Sequence, residues 1–279
     1  MNASEVMVSP VHVIAPDDPV AHIRNLMLKH KISRCPVLED DRLSGIITKK
    51  DIAYRLRNTE PLWRRRPIDH IPAHVIMTPD PVTIAPTTEI GAIAEVMVEK
   101  NISGLPVLDT EGLQGIVTKS DLLASGIAEN LNLTVADLMV PVETVNRFHS
   151  LNHVIDIMSE QNDRVVVVND NGTLAGIITE SNIAFFTYSD DKTGIPEKDV
   201  LMLRREEPGG RKWFRFVTEV SSTAEDLMSR PVVTVSSEAP LADAVELMKN
   251  HHISSVVALD GHDVRGIVIR DDIIKEVAK

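Results

Sequence analysis

Apolar and polar positions alternate along this chain in a pattern that recurs four times. In three copies a stripe at helical period is complete: Ile90, Ile93, Ala94 and Met97, then Leu151, Val154, Ile155 and Met158, then Leu241, Ala244, Val245 and Met248. That spacing puts all four side chains on one face of a helix. The first copy has Val20, Ile23 and Met27, with Arg24 interrupting the stripe. The methionines read as core filling. Before each stripe lies a short extended segment: 11–14, 82–84, 144–145 and 233–235. After it comes a β-branched run: 35–38, 105–108, 165–168 and 255–259. A polar turn then leads into a Gly-Ile strand that runs straight into a second helix. Each copy is therefore a β-α-β-β-α unit.

The strand-to-helix turn recurs most closely. It reads Gly45-Ile46-Ile47-Thr48-Lys49-Lys50-Asp51, Gly115-Ile116-Val117-Thr118-Lys119-Ser120-Asp121, Gly176-Ile177-Ile178-Thr179-Glu180-Ser181-Asn182 and Gly266-Ile267-Val268-Ile269-Arg270-Asp271-Asp272. A methionine precedes each glycine at near-constant distance: Met7 to Gly45, Met77 to Gly115, Met139 to Gly176 and Met228 to Gly266. Such self-similarity marks a repeat protein, and one unit alone buries too little surface to stand by itself. Repeats are expected at 7–58, 77–130, 136–187 and 226–279, paired as two modules. A connector over 188–225 is expected to hold a β-hairpin, with strands 199–204 and 212–217 flanking Pro208-Gly209-Gly210.

Composition narrows the class. Of 279 residues, 43% are hydrophobic but only 3% aromatic, so the core must be aliphatic. A formal charge of −12 argues against a general binder of nucleic-acid backbone. The single cysteine, Cys35, allows no internal disulfide and reads as a small buried residue. The N-terminus lacks the pattern of a signal peptide, and no apolar run reaches membrane-spanning length, so a soluble cytoplasmic protein without a membrane partner is expected.

The Thr-x-x-Asp turns have a purely structural explanation, in which Thr caps a helix and the acid satisfies early amides. The same residue types also suit a ligand: a carboxylate accepts hydrogen bonds from ribose hydroxyls, and a Thr hydroxyl meets a phosphate. The four copies resemble the CBS domain, the cystathionine-β-synthase-type motif, and their tandem pairs resemble Bateman modules. The four-copy arrangement is similar to the gamma subunit of AMP-activated protein kinase and its archaeal relatives. The resemblance implies an α/β fold of four β-α-β-β-α CBS repeats paired into two Bateman modules. It also implies adenine-nucleotide ligands (AMP, ADP or ATP) in clefts between repeats.

Carried onto this sequence, the resemblance gives the first cleft Arg34, Ile46, Thr48 and Asp51, facing Val82, Asn101, Ile102 and Pro106. The second takes Ile116, Thr118 and Asp121, facing His12, Lys31, Ile32 and Pro36, with Gly104 where the first copy has Arg34 and hence less positive charge. The third takes Arg164, Ile177, Thr179 and Asn182, facing Val233, His252 and Ile253. Asn182 departs from Asp. The fourth keeps Ile267 and Asp272 but has Ile269 for Thr and Ser255 for Arg, so it is expected to be weak, empty or specific for something else. The clefts should be unequal.

Two stretches fall outside the repeats. The segment 55–74 holds Arg55, Arg57, Arg64, Arg65, Arg66 and Trp63, read either as a solvated linker or as a basic patch for polyphosphate, nucleic acid or an acidic protein. The 199–217 hairpin, with Trp213, Phe214 and Phe216, is expected to cover its own module or to dock a partner. No P-loop, Gly-x-Ser-x-Gly or His-Glu-x-x-His motif is present, and His251 and His252 diverge on a helix, so neither catalysis nor a metal is expected. The expected function is a non-enzymatic energy sensor without a catalytic cofactor. It would self-associate as a disc or homodimer and signal to an unknown protein partner. The alternatives are a nucleic-acid-linked CBS protein and an S-adenosylmethionine sensor.

Overall fold

The computed structural model describes residues 1–52, 70–129, 131–160, 163–185, 198–207, 210–219 and 223–278. Each repeat forms the expected antiparallel strand pair after its striped helix. The first pairs strand Arg34–Glu39 antiparallel with Arg42–Thr48, and the second pairs Gly104–Asp109 with Gly112–Thr118. In the third and fourth, Thr144–Asn146 and Thr234–Ser236 add a parallel strand to Arg164–Val168 and Ser255–Asp260. In the first two the corresponding segments make only single parallel bridges, Ile14 to Val37 and Ile84 to Val107. The helices Val20–His30, Ile90–Glu99, Leu151–Glu160 and Leu241–His251 carry the four stripes. Arg24, which breaks the first stripe, is nonetheless buried. Cys35 is fully buried inside its strand, and burial pushes its thiol up to about 12, which makes it inert at neutral pH.

A short helical turn precedes each methionine and was not anticipated: Ala3–Val6, Ala73–Val75, Val135–Leu138 and Ala224–Leu227. Three are closed by capping boxes, Asn2 with Glu5, Thr134 with Asp137 and Thr223 with Asp226. That signal is legible in the sequence, but the turns are too short to leave a stripe.

These opening segments are exchanged between paired repeats. Val8 pairs with Ile116, Thr78 with Ile46, Ser229 with Ile177 and Val140 with Ile267. In three of the four the neighbouring methionine lands on the partner's glycine. A Cβ on Gly115 would lie 2.5 Å from Met7 Sδ, and one on Gly45 would lie 2.5 Å from Met77 Sδ. Met228 fills the same place over Gly176, and the Val140 carbonyl crowds Gly266. The glycine is there because another repeat's chain lies across it, a close approach that no other residue permits.

Packing closes the four repeats into a ring. One core cluster joins the first and third repeats, with Ile23, Met27 and Ile47 against Val154, Met158 and Ile178. A second joins the second and fourth, with Ile93, Met97 and Leu122 against Val245, Met248 and Ile273. Val166, Val257 and Ile267 form a smaller core between the sheets of the third and fourth. Thus the two modules pack on each other within one chain. Lys119, with a side chain only 3% exposed, donates from Nζ to Asp271 Oδ2 at 2.8 Å across the module boundary.

The hairpin forms as Lys198–Glu207 paired with Gly210–Glu219, in a register that sets Trp213, Phe214 and Phe216 opposite Arg204, Leu203 and Leu201. The arginines of 55–66 and Trp63 lie outside the described residues. Among the described residues no helix is long and apolar enough to cross a membrane, and no group of His, Cys, Asp and Glu could hold a metal ion.

Candidate functional site

At the centre of the ring is a cavity of about 1370 Å³, lined by all four repeats. It joins two of the expected clefts. Ile116, Thr118 and Asp121 of the second repeat line it with Lys31 and Ile32 of the first. Ile177, Thr179 and Asn182 of the third line it with Val233, His252 and Ile253 of the fourth. His12 and Pro36, assigned to the second cleft, do not line it: the His12 ring packs on His30 with centroids 3.7 Å apart, and Pro36 sits in its strand opposite Ile46. The first-cleft residues Ile46, Thr48, Asp51, Val82, Asn101, Ile102 and Pro106 lie elsewhere, as do Ile267 and Asp272 of the fourth. Lys31, Asn101 and His252 hold equivalent places, each in the left-handed conformation at the end of its repeat's long helix. In the fourth repeat Asp272 is engaged by Lys275 Nζ at 2.8 Å.

The Thr-x-x-Asp turns do form caps. Thr118 N–H and Oγ1–H donate to Asp121 Oδ2 at 2.8 and 2.7 Å. Both donors go to one carboxylate oxygen. Asp121 Oδ1 takes no hydrogen bond from the described residues and remains available as an acceptor. Thr48 and Asp51 repeat the geometry at 2.7 and 2.7 Å, and burial pushes Asp51 upward, so a hydrogen-bond donor reaching its carboxylate would relieve a real cost. Capping and ligand contact are thus compatible, because they use different oxygens.

The charge of the cavity opposes that of the chain. Lys31, Arg34, Lys49, Lys249 and Arg270 line it, against two carboxylates, Asp121 and Asp226. Arg34, which the sequence suggested for the first cleft, lines this cavity. Its guanidinium crosses to the second repeat and donates to the Ser103 carbonyl and, at 3.0 Å, to Ser103 Oγ. There it occupies the space a side chain on Gly104 would need. The expectation that Gly104 leaves the second cleft less positive is therefore reversed: the glycine admits a neighbour's arginine. Arg270 arrives from the fourth repeat and donates to Ser120 Oγ.

Burial is the largest influence on three of these cations, although Asp121 and Asp271 act to hold the charge on Arg34 and Arg270. Arg34 is pushed down to about 10 by burial first and by the Arg270 charge second. Burial likewise lowers Lys49 and Arg270, with Arg34 acting against Lys49 and Arg164 against Arg270. The Nε–H groups of Arg34 and Arg270 are buried without a hydrogen-bond partner among the described residues. Unpaired buried donors cost free energy, and turning these guanidinium groups toward an anion in the cavity would recover part of it. Arg164 differs from Arg34 in having its own acid: Nε donates to Asp163 Oδ1 at 2.6 Å and Nη2 to the other oxygen. Burial works to raise Asp163, but the hydrogen bonds and charge of Arg164 outweigh it and hold the carboxyl below its usual range.

Four paired repeats thus close a ring around a cavity lined by five cations and two carboxylates. The CBS domain model matches residues 3–58, 73–127, 135–187 and 224–279, and the chain belongs to the CBS domain family. It is similar along 98% of its length to an uncharacterised protein, MJ1404, of Methanocaldococcus jannaschii, at 25% identity, and spans 61% of that relative. A 119-residue stretch is 27% identical to an inosine-5'-monophosphate dehydrogenase of Thermoplasma acidophilum, spanning 22% of that enzyme. The structure of protein MJ1225 of Methanocaldococcus jannaschii, described as a candidate archaeal homolog of g-AMPK, superposes over 99% of both chains with TM-score 0.79 at 19% identity. An uncharacterised Pyrococcus horikoshii protein superposes over 99% of this chain and 100% of its own with TM-score 0.61 at 15% identity. At such identities the likeness concerns the fold.

Proposed function

We propose that the chain is a regulatory, non-enzymatic protein that binds an adenine nucleotide in the second cleft. The reading rests on one juxtaposition: an open carboxylate oxygen on Asp121 beside two buried arginines with unpaired Nε–H groups. Ile116 and Ile32 supply apolar surface for a base. Asp121 Oδ1 accepts from the ribose diol. Thr118, Arg34, Lys49 and Arg270 receive phosphate. S-adenosylmethionine fits less well, because its sulfonium would face the arginines where a phosphate would neutralise them.

Signalling would follow from the assembly of the site. Arg34 belongs to the first repeat, Asp121 to the second and Arg270 to the fourth, so a bound nucleotide ties the two modules together. It favours whichever mutual orientation brings these groups closest, which is a population shift that a protein partner can read. Calorimetric titration with AMP, ADP, ATP and S-adenosylmethionine tests the proposal. Binding of at least one phosphate-bearing nucleotide is expected, and failure of all four to bind would sink it.

A second result is expected at Gly104. Valine there displaces the Arg34 guanidinium, so Gly104→Val should weaken nucleotide binding about tenfold, the worth of one charge-assisted contact. Arg34→Ala should do the same, and the double variant should be no worse than either. Additive losses would show that Gly104 does not act through Arg34. Inorganic pyrophosphate should raise the melting temperature of the wild type and not that of Arg34→Ala/Arg270→Ala. An equal rise in both would place the anion elsewhere.

A further inference from the structure

The second and third clefts open on one cavity but present opposite hydrogen-bonding character. In the third, Thr179 N–H and Oγ1–H donate to Asn182 Oδ1 at 2.9 and 2.8 Å. A backbone N–H can only donate, so this cap fixes the amide oxygen toward Thr179 and turns the NH₂ toward the position that Asp121 Oδ1 holds in the second cleft. That NH₂ is already committed, to the Leu227 carbonyl at 2.9 Å and to Ser229 Oγ at 2.9 Å. Ser229 is the structural counterpart of Val8: the two bridge Ile177 and Ile116 in the same way. Val8 has nothing to offer Asp121, whereas Ser229 accepts from Asn182. Two departures from the second cleft, Asp to Asn and Val to Ser, thus complete one hydrogen-bonded unit.

A ribose diol brings two O–H donors and needs an acceptor. The third cleft shows it a spent donor instead. Its own arginine is held by its own acid: Arg164 is paired with Asp163 and also donates to the Ser254 carbonyl at 3.4 Å. We infer that Asn182 is a clasp, tying the third repeat to the opening segment of the fourth and closing the third cleft to nucleosides, so that the central cavity holds one nucleoside, in the second cleft. This deepens the nucleotide reading and rests on it.

Counting bound AMP per chain by native mass spectrometry tests the inference. Asp121→Asn should remove one equivalent and Asn182→Ala none. The double variant Asn182→Asp/Ser229→Val, which recreates the second cleft's pair, should add one. Loss of an equivalent in Asn182→Ala overturns the proposal, as does a folded double variant that gains nothing. The clasp is also readable without nucleotide. Ser229→Ala should lower the melting temperature by about 2–4 °C, the shift per lost hydrogen bond in a chain of this order of size, and Asn182→Ala, which also loses the cap and the Leu227 contact, by more. Together they should lower it no further than Asn182→Ala alone. Full additivity overturns the clasp even if AMP fails to bind, an outcome that would itself defeat the function proposed for the second cleft.

Discussion

Asp121→Asn is expected to weaken adenine-nucleotide binding about 100-fold while leaving the melting temperature almost unchanged. The carboxylate has two separable duties. Oδ2 closes the cap with Thr118 at 2.8 and 2.7 Å, and Oδ1, on a residue that lines the cavity, accepts nothing from the described residues. Asparagine keeps the first, because its carbonyl accepts the same two donors, as Asn182 shows in the third repeat. It loses the second, because an NH₂ group cannot accept from ribose hydroxyls. Two charge-assisted hydrogen bonds at roughly 1.5 kcal/mol each amount to about 3 kcal/mol, or two orders of magnitude in affinity. Calorimetry and a thermal melt on the same sample decide it. Unchanged affinity would remove Asp121 from the site, and a large drop in melting temperature would mean that the cap, or the support Asp121 gives the Arg34 and Arg270 charges, had been lost.

Asp271→Ala is expected to lower the melting temperature by about 4–8 °C, corresponding to roughly 2 kcal/mol. Removing Asp271 strands the Lys119 ammonium, whose side chain is only 3% exposed, on the boundary between modules. Loss of one member of a fully buried pair costs more, about 3–5 kcal/mol. Asp271 is 37% exposed, so water reaches the vacated position and moderates the loss. Lys119→Met/Asp271→Leu should recover most of the stability, since an apolar pair leaves no buried charge. A single variant that melts with the wild type would show that this contact does not hold the modules together.

Much of the fold was legible because each repeat carries its local signals in order. The stripes at 90–97, 151–158 and 241–248 became helices, and the Gly-Ile runs became strands paired as expected. The short turns before the methionines escaped notice because four residues hold no apolar period, only a capping box. For the site, sequence comparison of the copies located Thr118, Asp121, Thr179 and Asn182, which the fold does bring to one cavity. It did not place Arg34 in that cavity. A long side chain is assigned from sequence to its own repeat, yet this one reaches the next. Arg270, Lys49 and Ser229 were not among the candidates, since nothing in their own repeats marks them. They matter only for what they face.

The sequence by itself determined the unit, its number and the inequality of its turns, because strands, helices and caps are set by residues within a few positions of one another. It also showed that a methionine recurs about 38 residues before each glycine. Only the tertiary structure decided that the two meet across repeats, Met7 on Gly115 and Met77 on Gly45. The same exchange decided that Asp121 keeps an open oxygen beside Val8 while Asn182 is spent on Ser229. Neither could be read along the chain, because a strand exchanged with a partner takes its neighbours from another copy of the repeat, and four similar copies leave the choice of partner to the packing of their helices.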